Sequence, residues 1–182
     1  MKQWIKILLY ALLPLLVLIA IIYSYSNYEN ATKYESAKEK YLHYIGYIEQ
    51  STALANTKYE LCGDKKIAYT YNGAAYRAYK ISKNTFRKNI LKTYQNNGYS
   101  DSGYLNFRFL VNCKGEPGWF EIIEMNLDLE ETELEQNMVD QLFSITSNSN
   151  HWNALDYKGS PLNYYMYISY RIENGEIVEI LP

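Results

Sequence analysis

The sequence predicts an α+β protein with one long apolar helix near its N-terminus. Three observations lead to this fold class: an uninterrupted apolar run in the first segment, hydrophobic residues at helical spacing in later segments, and alternating hydrophobic residues in the C-terminal half. The clearest elements follow the order strand, strand, helix, strand, with a final short strand. We expect a transmembrane helix, an amphipathic helical segment, and then a small antiparallel sheet with a helix on one face.

The first element is an apolar run over residues 7–23, which follows Lys2 and Lys6 and is separated from the next charged residue, Glu29, by polar and aromatic residues. Its length favours an uncleaved transmembrane signal anchor over a cleaved signal peptide, whose apolar core usually has about 7–15 residues and ends in small residues. The cleaved peptide is the alternative. The basic flank predicts a cytoplasmic N-terminus, so the remainder of the chain is expected outside the cytoplasm.

Composition divides the chain into three parts. Residues 1–26 form the predicted anchor, residues 27–60 an amphipathic helical stalk, and residues 61–182 an α+β domain. In the stalk, Tyr, Ala and Ile residues recur at helical spacing, and the opposite face carries Lys38, Glu39 and Lys40. The stalk is therefore not a flexible Gly/Ser-rich or Pro-rich linker.

Cys62 and Cys113 both lie in the part of the chain that is predicted to be exported. An even pair of cysteines in an oxidising compartment indicates a disulfide, and both residues stand beside turn signals. Two separate buried thiols are the alternative. We predict a Cys62–Cys113 disulfide.

Two helices are expected in the α+β domain. Residues 82–94 place Phe86, Ile90, Leu91 and Tyr94 on one helical face, with Ser82 or Asn84 as the cap. Residues 126–146 begin with acidic side chains, which favour the first turns of a helix because of the helix dipole, and continue with an apolar stripe.

The strands of the domain are expected on either side of the second helix. A short strand around residues 67–71 precedes a hairpin over residues 103–125, and a long strand over residues 162–173 follows the helix. Asn174-Gly175 then turns the chain into a last strand over residues 176–181. On the long strand the inner face is plainly apolar, whereas the outer face carries Tyr165, Tyr167 and Arg171.

This outer face is the predicted partner-binding surface. A strand that lies at a sheet edge can bind an extended peptide through main-chain hydrogen bonds, and aromatic side chains beside it would add contact area. A Tyr-rich face that only contacts solvent is the alternative. Trp152 and Gly159 are expected to act as a structural anchor that fixes the entry of the long strand.

No catalytic, metal or phosphate-binding motif is recognisable in the sequence. His43 and His151 have no nucleophile or third orienting group in a recognisable pattern, and with Cys62 and Cys113 they lack the close ligand pairs of a zinc site. The net charge of −2 gives no indication of nucleic-acid binding. We therefore expect a protein that is not an enzyme and that uses no cofactor.

Residues 85–175 resemble the C-terminal domain of the TonB family of periplasmic energy transducers. The resemblance rests on Gly103 at the start of a strand, "FRFLVNCKGEPG" as strand and turn, a helix with an acidic start, Trp152, Gly159, and a strand that ends in "YISYRI". It implies a periplasmic domain on an inner-membrane anchor that binds envelope proteins by strand addition. The implied partners are an outer-membrane transporter and an inner-membrane proton-channel complex.

Three features depart from the family, the first being that the apolar run has no histidine, whereas the transducers carry one in their membrane helix. Ala154 stands where the family usually has a proline soon after the Trp, and no Pro-rich spacer joins the anchor to the domain. Energy transduction is therefore expected only as one version of a protein-binding role. The alternative function is a structural or assembly subunit of an inner-membrane or envelope complex.

Overall fold

The structure is a computed structural model that describes the following residues: 12–29, 48, 53, 59–63, 67–68 and 77–181. The chain divides into two compact units, Met1–Tyr47 and Ile48–Pro182. Most of the predicted stalk, and the predicted strand beyond residue 68, lie outside the described residues.

The first unit contains helix α1, Leu12–Glu29, which is long and apolar enough to cross a membrane and is not buried by other parts of the chain. Its side chains are exposed along the whole helix. A helix of this composition near the N-terminus is typical of both a transmembrane anchor and a signal sequence. The predicted apolar N-terminal helix is thus confirmed.

The second unit is an α+β arrangement, as predicted. Its elements are β1 Ile67–Ala68, α2 Lys83–Thr93, β2 Gly103–Val111, β3 Pro117–Met125, α3 Gln136–Thr146, a 3-10 turn Ser149–His151, β4 Leu155–Tyr157, β5 Ser160–Glu173 and β6 Glu176–Leu181.

Strand β5 is the centre of a mixed six-stranded sheet. On one side it pairs antiparallel with β2, from Gly103↔Ile172 to Val111↔Tyr164, and β3 pairs with the far side of β2. On the other side β6 pairs antiparallel with its C-terminal end and β1 pairs parallel with it at Ile67↔Asn163. The expectation of a purely antiparallel sheet is therefore wrong at β1, and β5 is an internal strand rather than a sheet edge.

The core lies between the inner face of the sheet and the two helices. Along β5 the buried side chains alternate with partly exposed ones, as the sequence pattern predicts. The inner residues Tyr164, Met166, Ile168 and Tyr170 belong to one hydrophobic cluster that also contains Leu134, Met138 and Leu142 from the segment of α3, and Phe86 and Ile90 from α2.

Helix α3 begins at Gln136, ten residues later than the acidic start suggests. Asn126 accounts for the difference, because its side-chain oxygen accepts hydrogen bonds from the backbone N–H groups of Asp128 (2.9 Å) and Glu130 (3.0 Å). An asparagine that binds the backbone in this way competes with helix formation. The acidic residues therefore form an exposed loop and not a first helical turn.

Helix α2 agrees with its predicted bounds, and its predicted apolar face departs from the structure only at Leu91. Phe86, Ile90 and Tyr94 are buried at a spacing of four residues, whereas Leu91 is 54% exposed. Leu91 follows Ile90 directly and so points about 100° away from the buried row. Ser82 is the N-cap, and its hydroxyl accepts from the Thr85 N–H at 3.0 Å.

Candidate protein-docking edge

The sheet presents one long outer strand, β3. It pairs with β2 on one side. On the other side, within the described part of the chain, only the end of β3 is engaged, by an isolated bridge between Met125 and Glu131 and by the Thr132 N–H, which donates to the Glu124 carbonyl at 3.2 Å. An unpaired strand edge is a template for another extended chain.

The orientation of the β3 backbone follows from the Thr132 hydrogen bond. Because the Glu124 carbonyl points away from β2, the backbone groups of Ile122, two residues earlier, also point away from β2. The main-chain donor and acceptor of Ile122 thus face the open side of the sheet.

The two faces beside this edge differ in chemistry. On the inner face, Phe120 is buried and Ile122 packs against the core together with Phe143 of α3. On the outer face, Glu121 forms an ion pair with Arg108 of β2, at 2.9 Å between Oε2 and Nη1. An added strand would therefore meet an apolar shelf on one side and a polar, charged surface on the other.

A β-bulge ends the regular part of the edge. The register between β2 and β3 shifts between Arg108 and Leu110, and Trp119, which lies at this position on β3, has φ of 51°. A bulge twists a strand locally and interrupts regular pairing. The regular open stretch of β3 consequently runs from Phe120 to Ile123, because the Glu124 carbonyl already accepts a hydrogen bond from the Thr132 N–H.

A short segment, Tyr59–Gly63, lies across the outer face beside the bulge, and we call it the strap. The predicted disulfide is present and joins Cys62 of the strap to Cys113 in the β2–β3 turn, with 5.9 Å between the Cα atoms. The Cys62 N–H donates to Asn163 Oδ1 at 2.9 Å, and Asn163 Nδ2 donates to the Cys62 carbonyl at 3.0 Å.

The strap is also packed against the sheet. The Tyr59 ring occupies the space above Gly118, where any Cβ would overlap it, and contacts the Trp119 ring at 5.9 Å between centroids. A small second hydrophobic cluster forms here around the buried Leu110 and includes Tyr165. The strap thus covers one end of the outer face, including Gly118 and Trp119 at the start of β3.

The three residues predicted to bind a partner occupy different environments. Tyr165 packs in the cluster under the strap, and Tyr167 is 43% exposed. Arg171 pairs with Glu173 on the same strand. All three lie on the outer face, as their spacing predicts, but they line an internal strand. Their role in binding stays a prediction.

The two predicted anchor residues have clear structural positions. Trp152 is fully buried, its Nε1–H donates to the Thr146 carbonyl at 3.0 Å, and its ring contacts Tyr79, Phe86 and Phe109. Gly159 is the second residue of the turn between β4 and β5, with φ of 79° after Lys158 with φ of 52°. Such a turn needs two residues in the left-handed region.

Sequence reasoning missed the edge of β3 as the candidate site. The hairpin of β2 and β3 is visible in the sequence, but which of its strands lies outermost depends on where β5 inserts. The signal that could have indicated it is the composition of β5: a strand of fourteen residues with a buried, aromatic inner face is typical of a central strand.

Other parts of the described structure offer little chemistry. Burial alone lowers the pKa of His151, whose ring lies against Phe86 at 5.2 Å between centroids. A surface groove of about 630 Å³ lies between residues 77–84 and residues 153–155. No group of three or more His, Cys, Asp or Glu residues that could hold a metal ion occurs within the described residues.

Comparisons of the chain with protein-family models, with curated proteins and with solved structures found no match.

Proposed function

We propose that this protein is a membrane-anchored binding module that takes an extended segment of an envelope protein as an added strand beside β3. The observation that carries the proposal is the side of β3 that no described strand covers, with the Ile122 backbone groups turned away from β2. Peptides that add to a sheet edge gain affinity from main-chain hydrogen bonds and specificity from alternate side chains. The apolar shelf of Ile122 and Phe143 supplies one such side-chain contact.

Two further features support a location outside the cytoplasm. Helix α1 has the length and composition of a membrane span, and the Cys62–Cys113 disulfide suits an oxidising compartment. In the TonB-like version of this proposal, the anchor lies in the inner membrane, the domain lies in the periplasm, and the partner is an outer-membrane transporter.

Photocrosslinking in intact cells tests the proposal. A photoreactive amino acid at Leu127, which is 45% exposed in the loop that follows β3, is expected to capture an envelope protein. The same group at Asn137, exposed on α3, is the matched control and is expected to capture none.

Two substitutions separate strand addition from other contacts. Ile122→Pro removes a main-chain donor that points away from the sheet, so the fold is expected to survive while capture at Leu127 is lost. Ile122→Val keeps the donor and is expected to retain capture. A folded Ile122→Pro protein with undiminished capture would show that the edge is not used. If the captured protein copurifies with this chain in equal amount without crosslinking, the two are permanent subunits of one complex. That result would support the alternative function, a structural or assembly subunit.

A further inference from the structure

Helix α2 and its flanks form the most basic part of the described structure. Residues 77–100 contain six basic residues and no acidic one; the six are Arg77, Lys80, Lys83, Arg87, Lys88 and Lys92. In contrast, no Lys or Arg occurs between Lys114 and Lys158. All six side chains are exposed. The net charge of −2 for the whole chain therefore hides a strongly uneven distribution.

Most of the charges on α2 oppose the stability of the helix, although Lys92 in the last turn is favourable to the helix dipole. Lys83 and Arg87, and likewise Lys88 and Lys92, are like charges four residues apart, which destabilise a helix. Lys83 also stands in the first turn, where the helix dipole disfavours a cation, and no acidic residue is present there. The ion pairs found in the described part of the chain involve none of these four residues.

Two exposed aliphatic side chains lie among these cations. Ile81, just before the N-cap, is 77% exposed, and Leu91 is 54% exposed. Leu91 is four residues from Arg87 and three from Lys88, so the three share one side of the helix. We call the set Ile81, Lys83, Arg87, Lys88, Leu91 and Lys92 the α2 basic face.

We propose that the α2 basic face contacts an anionic membrane surface. The proposal rests on the membrane-anchoring part of the proposed function, because α1 would tether the folded unit to a bilayer. Lys and Arg side chains near an anionic leaflet each add a favourable contribution, and exposed aliphatic residues insert into the interfacial region. An anionic surface would also relieve the like-charge repulsion along α2.

The expected contributions to the binding free energy favour a bilayer over an acidic protein surface as the partner of the α2 basic face. Exposed ion pairs between proteins contribute little each, whereas a tethered domain meets the bilayer at a high effective concentration and needs only a weak attraction. The alternative partner for the α2 basic face is the acidic loop of residues 127–133 of a second copy of the chain, which also exposes Leu127 and Leu129.

The test uses the full chain with its disulfide intact, reconstituted into vesicles of phosphatidylcholine alone or mixed with phosphatidylglycerol. A single added cysteine at Asn84, exposed on α2, carries an environment-sensitive fluorophore, and nitroxide-labelled lipids act as quenchers. We expect strong quenching in the vesicles that contain phosphatidylglycerol, weak quenching in phosphatidylcholine, and loss of the difference at high salt. The same label at Asn137 on α3 is expected to show no such difference.

Charge-reversal variants are the second part of this experiment. Arg87→Glu with Lys88→Glu is expected to reduce the quenching due to phosphatidylglycerol about tenfold. Lys114→Glu with Lys158→Glu makes the same change in net charge elsewhere and is expected to leave it unchanged. Circular dichroism and an intact disulfide establish that both variants are folded.

Other outcomes would overturn the proposal in recognisable ways. Equal quenching with and without phosphatidylglycerol, or an equal loss in the two charge-reversal variants, would contradict it. If the Asn84 label becomes less accessible to solvent as the protein concentration rises in lipid-free detergent, the α2 basic face contacts a second copy of the chain instead. Failure of the chain to float with either type of vesicle would overturn the anchor and this proposal together, whereas capture at β3 is measured independently of both.

Discussion

At the scale of single residues, two loops with the same pattern of backbone hydrogen bonds differ in the residue at their left-handed position. Asn112 and Asn126 each accept hydrogen bonds from the backbone N–H groups two and four residues later. In both loops the fourth residue has positive φ: it is Gly115 in the first, at 79°, and Leu129 in the second, at 66°. Only glycine adopts this conformation without steric cost, so Leu129 is strained and, at 64% exposure, gains little from burial.

Replacing Leu129 by glycine is therefore expected to stabilise the fold. Relief of the left-handed strain outweighs the extra freedom of glycine in the unfolded chain, with a net gain of roughly 0.5–1 kcal/mol in the free energy of unfolding. Urea denaturation of wild type and variant measures it. Gly115→Ala is the control with the opposite expectation, because a Cβ there would lie 2.8 Å from the Trp152 carbonyl oxygen. A destabilised Leu129→Gly protein would contradict the interpretation.

Tyr79 offers a second test at this scale. Burial is the main cause that raises the pKa of its phenol, and the hydroxyl oxygen has no hydrogen-bond partner in the described structure. Tyr79→Phe is expected to leave stability at pH 7 unchanged or slightly higher, because no hydrogen bond is lost.

The pH dependence of the same variant follows from linkage. Above the ordinary tyrosine pKa of about 10, the unfolded chain loses the phenolic proton while the folded chain keeps it, so folded stability falls as pH rises. In the Tyr79→Phe variant the free energy of unfolding is therefore expected to fall less steeply with rising pH, by up to about 1.4 kcal/mol per pH unit. Denaturation curves between neutral and alkaline pH measure it, and identical slopes for the two proteins would refute the assignment.

At the scale of elements, the strap shows how a short segment without regular structure is held in place. The disulfide and the paired hydrogen bonds between Cys62 and Asn163 connect it to the β2–β3 turn and to β5. Asn112 Nδ2 also donates to the Glu60 carbonyl at 3.1 Å. The strap thereby contributes, together with Ile48 and Ala53, to the cluster that buries Leu110 on the outer side of the sheet.

Removal of the disulfide is expected to weaken the whole second unit. The two cysteines are 51 residues apart, and opening a loop of that size costs about 4 kcal/mol on the chain-entropy model. Cys62→Ser with Cys113→Ser should therefore lower the free energy of unfolding by that order. Tryptophan fluorescence should also change below the unfolding transition, because Tyr59 would leave Trp119. A variant as stable as wild type would show that the strap is held by its hydrogen bonds and packing alone.

At the scale of the whole molecule, the chain combines an apolar N-terminal helix with a folded unit that contains the disulfide and the sheet. The uncleaved anchor is the prediction that belongs to this scale. Intact-mass analysis of the protein extracted from membranes is expected to give the mass of the full chain, because the apolar run lacks a good cleavage site. A mature protein that begins near Ser26 would contradict the anchor and support a secreted domain.

Local sequence patterns were sufficient for much of the fold and for part of the candidate site. The apolar run of α1, the hairpin of β2 and β3, the alternation along β5 and the Ser82 cap all depend on residues close together in the chain, where helical or strand periodicity is directly visible. The disulfide was also predictable, since only two cysteines are present. The false helix start at residue 126 arose because acidic composition was given more weight than the turn chemistry of Asn126.

The sequence by itself thus determined the α+β class, the apolar N-terminal helix, the inner face of β5 and the single pair of cysteines, since each is encoded by local periodicity or by count. Only the tertiary structure decided that β5 lies inside the sheet, that β1 joins it in parallel, and that β3 is the longest outer strand among the described residues. Strand order depends on contacts between residues far apart in the chain, and many orders satisfy the same alternating pattern. The inner and outer faces of a strand are visible in its sequence, whereas its neighbours are not.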